Sequence, residues 1–264
     1  MRNIQVKPIL HTYNKAEDVK HEYGTPVEIE TEYSPSEIAK EIIVFLKDSS
    51  GKEFMFKSRT VTYQDKTFIS PFPNPVHLFL KTSIESFNQS VNTLALMQND
   101  CQLDDLSRKI SILNINENFT NNNYNDFVRF RITSIISLVA AIETFLNQII
   151  PNNFIYNQAR KLGEITELDK TKIESSKVYF IEKLTSVISQ FLTNTKFEND
   201  NAELIETITE MYSVRKNIIH LKTNSEDEIA IYFSAIGKVL ELDIEKSIEA
   251  TIKYMNVVEL DFIK

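Results

Sequence analysis

The residues with most to offer chemically lie on one stretch, Ala202–Leu221, whose apolar spacing predicts a helix. At about 100° per residue, Leu204, Ile205, Ile208, Met211, Tyr212, Ile218 and Ile219 fall on one side. Glu203, Glu206, Glu210, Ser213 and Asn217 fall on the other. Arg215 breaks the pattern, because it lands within the apolar stripe. A buried guanidinium is costly unless it is paired or wetted, so Arg215 implies a carboxylate partner or a functional groove. His220 follows five residues later near the edge of the stripe, with Lys216 one turn before it. Arginine and histidine at this spacing differ by roughly 140° and about 7.5 Å along the axis, so they do not stack. The long arginine side chain can still curl toward a shared groove.

Other elements must hold that helix. Tyr124–Ile150, stopped by Pro151, predicts a long helix with an apolar arc from Phe127 to Ile149 covering about half its circumference. Glu143 sits on its flank among isoleucines, in reach of the role of partner to Arg215, and Asn147 stands one turn beyond. Such a wide arc fits a surface kept for a partner and fits a five-helix core as well. Further helices are expected at Val76–Met97, Ser175–Leu192 and Ile229–Val258, the last broken near Gly237 or Asp243. In the first of these the stripe is Leu78, Ile84, Phe87, Val91 and Leu94. Between helices, Asn99–Asn125 reads as a polar connection, and its asparagine-rich part, Asn114–Asn125, as an exposed loop. Four or five long antiparallel helices make a bundle.

Pro71, Pro73 and Pro75 cannot lie inside a helix and set a boundary, with a small β-rich region over 1–75 and the bundle over 76–264. Period-two alternation over Val27–Tyr33, and again at Glu41–Lys47 and Lys52–Lys57, predicts strands, the last two as a hairpin across Asp48–Gly51. Ser34-Pro35-Ser36-Glu37 also forms a capping box, which offers a helix over Pro35–Leu46. The β-branched and aromatic run Ile42–Phe45 favours the strand. The expected fold is therefore mainly α with a β-rich N-terminal region.

Composition narrows the function classes. The 264 residues are 42% hydrophobic and 25% charged, the mix of a globular protein. A net charge of −8 counts against broad nucleic-acid binding while leaving room for one local basic groove. The single cysteine, Cys101, excludes an internal disulfide framework and suits a reducing compartment. The start of the chain lacks a signal-peptide pattern. The apolar run Ile132–Ile150 carries Glu143 and Asn147 and reads as a buried helix rather than a membrane span, so a cytoplasmic location is expected. The 4 glycines form no phosphate loop, and His11, His21, His77 and His220 are scattered without metal-ligand spacing. No metal and no cofactor is expected.

Arg215-Lys216-Asn217-Ile218-Ile219-His220 resembles the Arg-x4-6-His motif of HEPN domains, and Ala141–Asn147 resembles the earlier helix of many bacterial members. The resemblance covers about residues 76–260. The residue after the arginine is commonly small and polar in that family, and here it is Lys216. The resemblance implies a homodimer with two motifs facing one groove, and metal-independent RNA cleavage in toxin–antitoxin or anti-phage defence systems, with a possible antitoxin or other defence partner. In that chemistry the ribose 2′-hydroxyl attacks, His220 acts as general acid/base and Arg215 clamps the phosphate. Glu143 would orient or neutralise Arg215, while Lys216, Asn217 and Tyr212 line the groove. Two other readings stand beside this one. One is a catalytically silent scaffold of the same fold that binds RNA or protein. The other is a helical assembly protein of other ancestry, in which Arg215 pairs structurally with Glu143 and His220 satisfies carbonyls at a helix end.

Overall fold

A computed structural model describes residues 4–6, 42–47, 53–71, 73–99, 101–103, 111–159, 164–175, 177–219 and 228–264. The alternation over Val27–Tyr33 lies outside the described residues, as do the first residues of the helix offered for Pro35–Leu46. The protein is mainly helical. Its backbone divides into two compact units, Lys7–Asn74 and a larger one that joins Pro75–Lys264 with Met1–Val6.

The smaller unit holds an antiparallel sheet of β1 (Ile42–Lys47), β2 (Glu53–Tyr63) and β3 (Lys66–Pro71), in that order. Lys47 pairs with Glu53 and Ile42 with Ser58, which is the expected hairpin. The strand reading holds for 42–47 because three β-branched residues, Ile42, Ile43 and Val44, together with Phe45 outweigh the upstream capping box. Strand β2 runs further than the alternation up to Lys57 suggests, and β3 was not expected. The turn between them contains no glycine, yet Gln64 and Asp65 both take positive φ, 47° and 62°. Two consecutive residues of this kind make the tight connection that matches strand twist.

In the larger unit, Gln5 and Lys264 exchange two backbone hydrogen bonds of 2.9 Å, and Val6 bridges to Ile263. Helix α1 (Pro75–Asn99) packs antiparallel on α2 (Asn122–Ile149): Ser83 meets Ser134 while Leu94 and Met97 pack near Phe127 and Val128. This corrects the apolar stripe expected for α1. Leu78 and Val91 are 47% and 50% exposed, and the buried face is Val76, Leu80, Ser83, Ser86, Ser90 and Thr93. Small side chains let two backbones approach closely. Their hydroxyls do not need water, because Ser90 donates to the Phe87 carbonyl, Thr93 to that of Gln89, and Ser83 bonds to Ser134.

Asn121 starts α2 by accepting a hydrogen bond from the Tyr124 amide. Ile135, Leu138, Val139, Ala141, Ile142, Phe145 and Leu146 of this helix are fully buried. Its length and apolarity would suffice to cross a membrane, but half of that stretch is buried against the rest of the unit. Short paired strands precede it, β4 (Cys101–Leu103) with β5 (Ser111–Leu113), where a polar connection was expected. Another unexpected hairpin follows it, β6 (Tyr156–Ala159) with β7 (Ile165–Leu168). Tyr156 and Leu168 are paired across β6 and β7, and both join a core cluster with Ile150, Ile173, Val178 and Val187.

The helix expected at Ser175–Leu192 begins later. Ser175 instead ends the short α3 (Lys170–Glu174), its hydroxyl donating to the Lys172 carbonyl. A continuous helical segment then runs through α4 (Phe180–Glu182), a π-helical turn (Lys183–Val187) and α5 (Ile188–Phe191). The short α6 (Phe197–Asp200) leads into α7 (Ala202–Ile219), which carries Arg215. The last two helices are α8 (Glu228–Glu241) and α9 (Ile244–Val258). The break between them falls at Asp243, whose carboxylate caps the Lys246 amide, while Gly237 stays inside α8.

Arg131 joins α2 to the end of α8. Its guanidinium donates to the carbonyls of Val239, Leu240 and Leu242 at 3.0, 3.2 and 2.6 Å, groups that a helix end leaves without partners. Burial lowers its pKa, and the nearby charge of Asp243 opposes that shift. Arg131→Met keeps the apolar stem and removes all three donors. Urea unfolding should show a loss of about 1–3 kcal/mol relative to wild type. An unchanged unfolding midpoint would mean that these carbonyls find other partners.

Candidate functional site

Arg215 lies on the side of α7 that carries the buried Ile208 and Met211, and it is itself half-buried. Its Nε is buried and has no hydrogen-bond partner among the described residues. The expected placement of a cation among apolar neighbours is therefore present, but the expected partner is not. Among the described residues no ion pair joins Arg215 to Glu143. Glu143 acts instead on Lys183, in the π turn, whose charged form it favours. Asn147, one turn after Glu143, accepts a hydrogen bond from Lys183 Nζ at 3.4 Å. Burial lowers the Lys183 pKa, and the carboxylates of Glu143 and Glu174 act against that shift. Glu143, expected to serve Arg215, and Asn147, expected to support the site, thus both serve a lysine that the sequence did not single out.

Tyr212, one turn before Arg215, stacks its ring on Phe180 with centroids 4.2 Å apart and planes 13° from parallel. This holds α7 against the segment that bears Lys183. Lys216 is exposed in the last turn of α7, and Asn217 is half-buried. His220 lies outside the described residues.

The π turn has a visible anchor. The buried Tyr254 hydroxyl on α9 donates to the Leu184 carbonyl at 2.7 Å. A π turn widens the ladder from i→i+4 to i→i+5, a distortion often found near functional positions. Just before it, Glu182 accepts hydrogen bonds from Tyr156 Oη at 2.9 Å and Gln158 Nε2 at 2.8 Å. Burial first, then the bond to Glu182 and its negative charge, push the Tyr156 phenol up to about 12, while a bond with Ser186 acts the other way. Hydrophobic spacing could not reveal this network, because its members come from β6, α4 and the π turn.

Two cavities of about 700 and 820 Å³ lie elsewhere in the unit. The first is lined by Glu198, Glu206, Glu210 and Glu241, with Lys238 as its cation. Ser213 also lines it, and Arg215 lies roughly 160° round the helix from Ser213, so the arginine points away from that acidic wall. The second lies between α1 and α9, with Ile84, Phe87, Val91 and Ile248 beside Glu85 and Glu245. Compared with protein-family models, curated proteins and solved structures, the chain finds no significant match.

Because the Tyr156 phenol is raised above its unfolded value near 10, its neutral form is favoured in the native state. That contribution is fully present below pH 10 and is lost as pH rises toward about 12. Tyr156→Phe should therefore flatten the fall of stability with pH between 10 and 12, measured by urea titration across that range. Identical slopes in the two proteins would remove Tyr156 as their source.

Proposed function

We propose that the chain is a metal-independent endoribonuclease of the HEPN type, acting as a cytoplasmic homodimer in a toxin–antitoxin or anti-phage defence setting. The observation that carries this reading is Arg215, a cation on the apolar side of α7 whose Nε–H is buried without an acceptor among the described residues. An unmade hydrogen bond of that kind costs about 1–3 kcal/mol, and a phosphate oxygen that reached it would offset it. The helical setting of Arg215 and the presence of His220 five residues on in the sequence support the same reading.

In this chemistry the ribose 2′-oxygen bonds to phosphorus as the bond to the 5′-oxygen breaks. The products are a 2′,3′-cyclic phosphate and a 5′-hydroxyl. His220 takes the proton from the 2′-hydroxyl or delivers one to the leaving oxygen. Arg215 holds the phosphoryl oxygens as negative charge builds on them. Lys216 and Asn217 line the approach. Glu143 and Asn147 act through Lys183 rather than through Arg215.

Purified protein incubated with mixed RNAs in EDTA should leave cyclic phosphate ends. Arg215→Ala and His220→Ala, matched for folding, should each lower the rate by at least about a hundredfold. If wild type leaves RNA intact and both variants keep wild-type stability and RNA binding, the enzyme reading fails. A silent RNA- or protein-binding scaffold then takes its place.

A further inference from the structure

The sheet of the smaller unit sorts its charges by face. Val61 pairs with Phe68, Tyr63 with Lys66 and Arg59 with Ser70, and alternation along β2 places Lys57 and Glu53 on the same face. Glu53 is opposite Lys47, so that pair cancels. The charges left on this face, at Lys57, Arg59 and Lys66, are all positive. The opposite face, which takes every second residue from Ile42, Phe54 and Thr67, holds no charged residue. In the connections, Asp48 and Lys52 offset each other and Asp65 stands in the turn beside Lys66; Glu41, just before β1, lies outside the described residues.

A sheet face that only met water would be polar throughout. This one is not. Val61, Tyr63 and Phe68 are 58%, 65% and 49% exposed, with the exposed Lys66 among them. Tyr63 and Phe68 are diagonal neighbours across β2 and β3, positions roughly 7–8 Å apart. Two rings at that spacing can each take one of two successive bases, while cations around them meet the phosphates that link those bases. Such binding does not depend on one sequence, because every base has a flat face to stack.

We propose that this face of β2 and β3 binds a single-stranded polynucleotide, with bases stacked on Tyr63 and Phe68 and phosphates drawn to Lys66 and to the positions of Lys57 and Arg59. The combination of exposed rings with uncancelled positive charge selects this ligand. An apolar protein pocket would leave the cations without partners, and a small anion would leave the rings in water. A second copy laid on the same face would set like charges against each other. A duplex has its bases already stacked on one another and offers the rings nothing. In a chain of net charge −8, a basic face confined to one sheet suits a short grip on one strand rather than broad attachment to nucleic acid.

The test is fluorescence anisotropy of a labelled oligothymidine of about 12 nucleotides, titrated with the full-length protein in EDTA. Thymidine oligomers lack the 2′-hydroxyl, so the outcome is independent of RNA cleavage by Arg215 and His220. Wild type should bind, and three phosphate contacts predict that affinity falls about fifteenfold between roughly 50 and 200 mM salt. Tyr63→Leu and Phe68→Leu keep apolar area and remove the ring, and each should weaken binding at least about fivefold. Tyr63→Phe should bind like wild type. Lys66→Glu should bind more weakly and with a shallower salt dependence. These positions are exposed, so the urea midpoints should match that of wild type. A duplex of the same length should bind at least about tenfold more weakly. The proposal is overturned if wild type does not bind at low salt, if both leucine variants bind as well as wild type, or if the duplex is preferred. A dimer that dissociates on Tyr63→Leu substitution would also overturn it, by assigning the face to a second copy.

Discussion

The larger unit is organised by the need to cover α2. This helix is apolar over so much of its circumference that one neighbour cannot shield it. Helices α1, α7, α8 and α9 all pack against it. The wide arc that could have been a surface kept for a partner is mostly occupied within the chain. Where a polar group interrupts the arc, a specific use appears. Ser134 meets Ser83, Arg131 holds the end of α8, and Asn147 receives Lys183. Each of these three polar residues is also the place where another element is held against the helix.

The same constraint explains how the candidate site is held. Helix α7 reaches α2 on one side, and through Tyr212 and Phe180 it reaches the segment with the π turn on another. Arg215 therefore rides on a helix whose rotation is set by packing at two places. The Arg215 Nε shares its state, buried and without a hydrogen-bond partner among the described residues, with Gln148 Oε1 of α2. The acidic wall on the opposite face of α7 would discourage an anion there.

Long helices were legible because their apolar residues recur every three to four positions, whereas the break in the last of them stayed open between Gly237 and Asp243 until the cap at Asp243 decided it. Shorter elements were not legible. The hairpin of β6 and β7 has only four residues a side and is set by Tyr156 and Leu168 reaching a core that local pattern does not display. The buried face of α1 was misread because close approach of two backbones there favours serine and threonine over leucine and valine. At the site, periodicity placed Arg215 among apolar neighbours, but pairing it with Glu143 required distances between helices. A π turn has no compositional mark, so Lys183 stayed hidden.

That turn carries a consequence for how this protein tolerates change in length. A single π turn is equivalent to one extra residue wound into an otherwise regular helix. Upstream of it, Glu182 faces Tyr156 and Gln158; within it, Lys183 faces Asn147 and Leu184 meets Tyr254. Removing one residue between Lys183 and Val187 would let this stretch wind as regular α-helix while the turns on either side keep their direction, so the loss would fall on the contacts made within the turn. The same deletion in a regular part of the helix would turn everything beyond it by about 100°. The segment thus tolerates a change in length at this one place better than on either side of it.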